Sequence, residues 1–191
     1  MKKPVKVIVI EDSPKYREVI GLSFGRSDEI EICEQFGTAE GALLFVRKAR
    51  REDQPAVILL DLNLPGMSGI DLIPKLKQNA PDSEILILTQ SDNEADIFRA
   101  ITGGATGYLL KSATIQDIRD GIIALAAGEA SLDTKVARYI LASMKSNHDS
   151  SSSRTGLSAK EREVLHLLAD GFLQKEIADR LGISVTTVAY H

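Results

Sequence analysis

A single cysteine, Cys33, stands among the 191 residues. No disulfide can close within the chain, which suits a reducing cytosol. Long apolar runs are missing as well. None approaches the ~20 residues that a membrane span needs. The apolar stretch behind Met1-Lys2-Lys3 covers only about six residues, too few for the core of a secretory signal. A cytoplasmic protein with no membrane association is the expectation. Neither sign of charge dominates: 23 Lys and Arg face 27 Asp and Glu, a net charge of −4. That balance argues against nonspecific polyanion binding by the chain as a whole, but it leaves room for a local basic surface. Several chemical signatures are absent too. There is no glycine-rich loop of the P-loop or dinucleotide kind, no pair of histidines at metal-ligand spacing and no Gly-x-Ser-x-Gly. The length suits one large domain or two small ones.

What is present is organised around Val57-Ile58-Leu59-Leu60, which runs without alternation into Asp61 and is soon followed by Pro65-Gly66. An unbroken apolar run of this length suits a strand covered on both faces, as in a parallel sheet. Asp61 then lies at the C-terminal strand end, where open α/β sheets place their ligand sites. Three other runs end the same way: 5–10 at Glu11-Asp12, 84–88 at Thr89 and 107–110 at Lys111. Residues 30–36 read as the remaining strand. Helical spacing falls between them. Ser13-Pro14 opens a helix with Tyr16, Val19, Ile20 and Phe24 on one face. Thr38 caps a helix to about residue 50 with Ala39, Ala42, Leu43 and Val46 inward. Its end, Arg47-Lys48-Ala49-Arg50-Arg51, reads as a solvated basic terminus that complements the helix dipole. A short helix covers 70–78, with Pro74 near its first turns. Another covers 93–102, with Ala95, Phe98 and Ile101 inward. A last one runs to about 127 on the stripe Ile115, Ile118, Ile122 and Leu125. Strand followed by helix, five times in about 125 residues, predicts an α/β fold with a doubly wound, five-stranded parallel sheet.

A further helix is expected over 132–144. Composition then shifts. Residues 143–155 hold six serines and almost nothing apolar, so 146–155 reads as a flexible linker. Beyond it the pattern is again helical. Ser158 and Glu161 form a capping box. Val164, Leu165, Leu168 and Ala169 face inward, and a second helix over 173–181 turns Ile177, Ala178 and Leu181 inward. Gly182-Ile183-Ser184 is a turn, and a third helix starts at Val185. This is a small all-α helix-turn-helix unit.

Glu11, Asp12 and Asp61 bring three carboxylates to one sheet edge. Unpaired they would repel, and some would have to take up protons. A hard divalent cation such as Mg²⁺, which takes oxygen ligands, resolves this. A carboxylate beside Mg²⁺, a lysine and a hydroxyl suggests phosphoryl transfer to Asp61, because carboxylates act as such nucleophiles. The metal and Lys111 would neutralise charge on the transferring group, and Thr89 could donate to a phosphoryl oxygen.

These residues carry a family resemblance. Residues 1–128 resemble the receiver domain of two-component response regulators. The match rests on Glu11-Asp12, on Asp61 with Asn63-x-Pro65-Gly66-x-x-Gly69, on Thr89, and on Gly107-Tyr108-Leu109-Leu110-Lys111-Ser112. Residues 157–191 resemble the start of the LuxR-type helix-turn-helix, through Leu157-Ser158, Arg162-Glu163-x-Leu165, Lys175-Glu176-Ile177-Ala178 and Ile183-Ser184-x-x-Thr187-Val188. The combination is similar to the NarL/FixJ family of transcriptional regulators, with 129–156 as linker helix and Ser-rich linker. The resemblance implies that Asp61 accepts phosphate from a sensor histidine kinase. Asp12 and Asp61 would ligate Mg²⁺ directly, Glu11 through water and Asn63 through its backbone carbonyl. Thr89 and Tyr108 would be the switch pair, with Tyr108 turning inward on phosphorylation and changing the surface of the fourth helix, fifth strand and fifth helix. Homodimerisation and promoter binding would follow, and the protein would be no enzyme beyond self-phosphorylation from small donors and autodephosphorylation. Lys175, Thr186, Thr187, Tyr190 and His191 are the implied DNA contacts.

The tail departs from the pattern in two ways. It stops at His191 within the recognition helix, so a truncated form of a longer, dimeric DNA-binding protein is expected. Ala189 stands where the family carries lysine, and from Gly156 on four basic side chains meet five acidic ones, which is poor for phosphate contact. The 191-residue chain is therefore expected to bind DNA weakly or not at all. Two other readings compete. One is a receiver-based module acting through protein contacts rather than DNA. The other is a phosphatase, because Asp61-Leu62-Asn63 resembles the Asp-x-Asp of haloacid-dehalogenase-type enzymes. Asn63 cannot supply the general acid-base carboxylate that reading needs.

Overall fold

The structure, a computed structural model, describes residues 3–134, 136–140, 159–172 and 174–181. Its first part alternates strand and helix: β1 Val5–Ile10, α1 Pro14–Phe24, β2 Ile30–Phe36, α2 Ala39–Lys48, β3 Val57–Leu60, α3 Gly69–Asn79, β4 Glu84–Thr89, α4 Glu94–Thr102, β5 Gly107–Leu110 and α5 Ile115–Ala126. A two-residue strand, β6 Ser131–Leu132, follows. Two helices form the second part, α6 Ala159–Ala169 and α7 Gln174–Leu181. Among the described residues no helix is long and apolar enough to cross a membrane.

All strand pairs are parallel, in the order β2-β1-β3-β4-β5-β6. The order reverses at β1, so a crevice opens at the C-terminal ends of β1 and β3, where doubly wound sheets bind ligands. Successive residues of a strand point to opposite faces, and this divides the core in two. Ile8, Ile10, Ile58, Leu60, Ile85 and Ile87 pack under α2, α3 and α4. Val7, Val9, Val57, Leu59, Leu86 and Leu88 pack under α1 and α5 with Ile20, Phe24, Ile118, Ile122 and Leu125. The continuous apolar runs 7–10 of β1 and 57–60 of β3 are thus buried on both faces, the environment their lack of alternation predicts.

Each helix of this part starts at a side-chain cap. Ser13, Thr38, Ser68, Asn93 and Thr114 each accept a backbone N–H of the first turn, and Thr114 with Asp117 makes a full capping box. These caps sit in the loops that follow strands β1 to β5, so the chemistry that starts the helices also pins the loops around the crevice.

Four expectations need correction. The inward face of α4 is Ile97 and Ala100, which join the larger core, whereas Phe98 is 51% exposed and Ala95 is exposed. On α1, Ile20 and Phe24 are buried but Val19 is 45% exposed. The buried arc is narrower than the apolar stripe. Ile115, in the first turn of α5, is likewise partly open to solvent. Lastly, Leu132 belongs to a sixth strand rather than to a helix. Ser131 and Leu132 pair with Gly107 and Tyr108, and the Asp133 N–H donates to the Tyr108 carbonyl at 3.0 Å. Two glycines make that approach possible. A Cβ on Gly107 would stand 3.0 Å from the Ser131 carbonyl oxygen, and one on Gly121 3.1 Å from the Ser131 hydroxyl.

After β6, residues 134 and 136–140 are helical. Val136 is buried in the sheet core under α2, α3 and α4, while its neighbour Ala137 packs with Leu165 and Ala169 of α6. Arg138 Nε donates to the Ala169 carbonyl at 2.7 Å, a cation on the negative end of α6. On its other side α6 meets α7 through Val164, Ile177 and Ala178. The Ser158 cap, the flexible linker and the third helix of the tail lie outside the described residues.

Candidate functional site

The crevice at the reversal of strand order is lined by the residues that end the strands. Glu11 follows β1 and Asp61 follows β3, each 3% exposed. Asp12 is exposed beside them. One carboxylate oxygen from each lies within 4.8 Å of the others. Lys111 arrives from the end of β5 and places Nζ 2.6 Å from Glu11 Oε2 and 2.7 Å from Asp61 Oδ2. Backbone donors hold the outer oxygens. The Ser13 N–H donates to Glu11 Oε1 at 3.1 Å, and the Asn63 N–H to Asp61 Oδ1 at 3.2 Å.

Like charges about 4 Å apart repel by roughly 4 kcal/mol where the effective dielectric is near 20. Three carboxylates against one ammonium leave the pocket acidic, even with Lys111 bound to two of them. Burial raises the pKa of Glu11, and the Asp61 charge adds to that rise, while the hydrogen bonds from Lys111 and Ser13 oppose it. Burial acts to lower the pKa of Lys111, but its bonds to Asp61 and Glu11 outweigh that and raise it. Lys111 is therefore held firmly as an ammonium. The donor set fits a hard divalent cation, since all the ligand atoms are carboxylate oxygens at close quarters.

Several neighbours of the pocket carry no signal in the sequence. Arg17 Nη1 donates to the backbone carbonyls of both Glu11 and Asp12, which ties the acid pair to the first turns of α1. The Tyr16 ring lies with its centroid 4.8 Å from Lys111 Nζ. Neither role follows from helical periodicity, which assigns Tyr16 to the core and leaves Arg17 on a polar face. The loop after Asp61 closes on itself. Gly69 donates to the Leu62 carbonyl at 2.9 Å, and Gly66 turns the chain at φ +77° beside Glu40.

Thr89 ends β4, and Tyr108 lies in β5 three residues before Lys111. The Lys111 N–H donates to the Thr89 carbonyl at 2.8 Å. Thr89 is buried, and its hydroxyl accepts from the Ser91 N–H at 3.4 Å. The Tyr108 ring is 0% exposed, the inward position, and its hydroxyl donates to the Ser91 carbonyl at 2.9 Å. Ser91 in turn donates to Asp96 in α4 at 2.8 Å. Burial, then the charge of Asp96, pushes the phenol of Tyr108 far above its ordinary range. Thr89 and Tyr108 are candidates from the sequence, whereas the Ser91–Asp96 link between Tyr108 and α4 is not visible there. Asn63 is exposed at the mouth of the pocket. Lys175 falls within α7, but its side chain, with Thr186, Thr187, Tyr190 and His191, lies outside what is described.

Strand order and pocket together define a receiver domain. The chain belongs to the response regulators of the NarL/FixJ family: residues 7–123 match the response regulator receiver domain, and residues 155–191 match the bacterial regulatory proteins of the luxR family. The nitrate/nitrite response regulator protein NarL of Escherichia coli K12 is 30% identical over 191 residues, all of this chain and 87% of that protein. Among solved structures, the RcsB response regulator of Salmonella typhimurium superimposes with a TM-score of 0.66 at 28% identity, over 99% of this chain and 88% of that one. An RcsB–DNA complex gives 0.66 at 27% identity, over 98% and 87% of the two chains.

Proposed function

We propose that Asp61 is the phospho-acceptor of a transcriptional response regulator. A carboxylate oxygen of Asp61 bonds to phosphorus while the bond from phosphorus to the donor, an imidazole nitrogen of a sensor histidine kinase, breaks. The electron pair leaves with the imidazole, which takes up a proton. Lys111, already 2.7 Å from Asp61, meets the charge that builds on the phosphoryl oxygens, and the Thr89 hydroxyl supplies a further donor. Glu11, Asp12, Asp61 and the Asn63 carbonyl are the groups that would hold Mg²⁺, which supplies charge neutralisation there. The observation that carries this reading is the buried Glu11–Lys111–Asp61 arrangement, with Asp12 alongside, at the strand-order reversal.

Thr89 and Tyr108 act as the switch pair, reporting the added charge through Ser91 and Asp96 to α4. Residues 1–128 form the receiver and 157–191 the DNA-binding domain, with 129–156 between them. Phosphorylation favours a homodimer, and promoter DNA is the partner of the luxR-type domain; the RcsB–DNA complex among similar structures supports this. Lys175, Thr186, Thr187, Tyr190 and His191 are the candidate contacts. The protein works in the cytoplasm, and its catalysis is limited to self-phosphorylation from small donors and autodephosphorylation.

Incubation with acetyl phosphate and Mg²⁺, followed by intact mass, tests the acceptor. A single phosphoryl adduct is expected on the wild-type chain and none on Asp61→Asn. An adduct of equal yield on the variant would overturn the assignment.

A further inference from the structure

Resting on the reading of Asp61 as acceptor, we propose that Tyr16 is a positioning residue for phosphoryl transfer, its ring face holding the Lys111 ammonium against Asp61. Lys111 carries a long flexible stem, and its ammonium can point in many directions from the end of β5. Two directions are taken by Glu11 and Asp61, at 2.6 and 2.7 Å. The Tyr16 ring occupies a third, with its centroid 4.8 Å from Nζ, inside the range where the negative face of an aromatic ring attracts a cation.

The ring is itself well placed to hold a position. Tyr16 lies in the first turn of α1, and its backbone N–H donates to the Ser13 cap at 3.3 Å. The next residue, Arg17, anchors to the carbonyls of Glu11 and Asp12. Tyr16 is half-buried, and its inner edge packs against the core under α1 and α5. The turn that carries the ring is therefore bonded to the same backbone that carries the acid pair.

This matters because the other partners of Lys111 change during the reaction. Asp61 becomes an acyl phosphate, and Glu11 and Asp61 both belong to the proposed metal-binding set. A carboxylate that turns away to another ligand releases the ammonium. The ring does not compete for a cation site or for phosphate. It keeps Lys111 on the Asp61 side while the carboxylates exchange partners. The cost of losing it falls on the rate rather than on binding of the metal.

The test compares Tyr16→Phe, which keeps the ring, with Tyr16→Leu, which keeps apolar bulk without a π face. Adduct formation from acetyl phosphate is followed by intact mass on the full chain, across a range of Mg²⁺ concentrations, with urea unfolding as a control. Tyr16→Leu is expected to slow adduct formation about tenfold at saturating Mg²⁺, with the half-saturating Mg²⁺ concentration unchanged. Tyr16→Phe restores the rate. Equal rates for wild type and Tyr16→Leu would overturn the proposal. So would a Tyr16→Phe variant as slow as Tyr16→Leu, or a loss of rate that merely tracks a lower urea midpoint. If the wild-type chain takes no adduct at all, the acceptor reading fails and this inference falls with it. If the wild type is labelled at Asp61 and Tyr16→Leu is unimpaired, only the role of Tyr16 fails.

Discussion

At the scale of single residues, the pocket depends on what is missing as much as on what is charged. Gly69 starts α3 directly against the backbone of Asp61. A Cβ there would lie 2.2 Å from the Asp61 carbonyl oxygen and 2.6 Å from the Leu62 Cα. Both obstacles are backbone, so no rotamer change relieves them. Gly69→Ala must therefore push the 61–69 loop away from its own start and lose the Gly69–Leu62 hydrogen bond. We expect it to destabilise the chain by about 2–3 kcal/mol, measured by urea unfolding, and to slow phosphorylation beyond what the stability loss explains. Wild-type stability would mean that the loop relaxes at no cost. The acids, Thr89 and Lys111 are legible in the sequence because each closes an apolar run, and a parallel sheet gathers such ends at one edge. Tyr16 and Arg17 are not legible, because their partners come from β5 and from the backbone behind them, a relation that helical spacing does not encode.

At the scale of elements, the strands β1 to β5 and the helices α1 to α5 follow from runs, caps and turns, but the rotation of a short helix does not. In α4 the sets 95, 98, 101 and 97, 100 both recur every three residues, so periodicity alone leaves the inward face ambiguous. The bulk of Phe98 favours the first set. Packing selects the second, because Ile97 and Ala100 are buried in one core with Ala105, Tyr108 and Ile85 and Ile87 of β4. Substitution separates the two faces. Ile97→Ala is expected to cost about 3 kcal/mol through the cavity it leaves. Phe98→Ala is expected to change stability by less than about 0.5 kcal/mol, as exposed substitutions do. Parallel urea titrations of the two variants measure this, and a larger loss for Phe98→Ala would put the helix on its other face. The exposure of Phe98 also leaves an aromatic side chain on the helix that the Ser91–Asp96 bond connects to Tyr108.

At the scale of the whole molecule, β6 joins what a five-stranded sheet would leave apart. Its two residues pair with Gly107 and Tyr108, the strand of the proposed switch tyrosine. The chain then passes at once into helical residues that divide between two cores. Val136 is buried with the receiver strands, and Ala137, also 0% exposed, is buried against α6. The sequence does not announce this, because a two-residue strand is too short for periodicity and its room is made by Gly107 of β5 and Gly121 of α5. A rotation of β5 about Tyr108 would move Asp133 through its bond to the Tyr108 carbonyl, and with it the face that carries Ala137. Among the described residues, the contact with α6 is built on Ala137, Leu165 and Ala169, with Leu132, Ile140 and Leu168 packed against them, and on the Arg138 bond to the Ala169 carbonyl. A charge in its centre should part the two units without unfolding either. Ala137→Asp places a carboxylate among apolar side chains and beside a helix end whose carbonyls already repel it. Hydrogen exchange should therefore quicken across 159–169 while amides of β1, β3 and β4 keep their protection. Loss of protection in those strands as well would show that Ala137 supports the receiver core itself. Unchanged exchange in α6 would show that the contact does not hold the helix to the receiver.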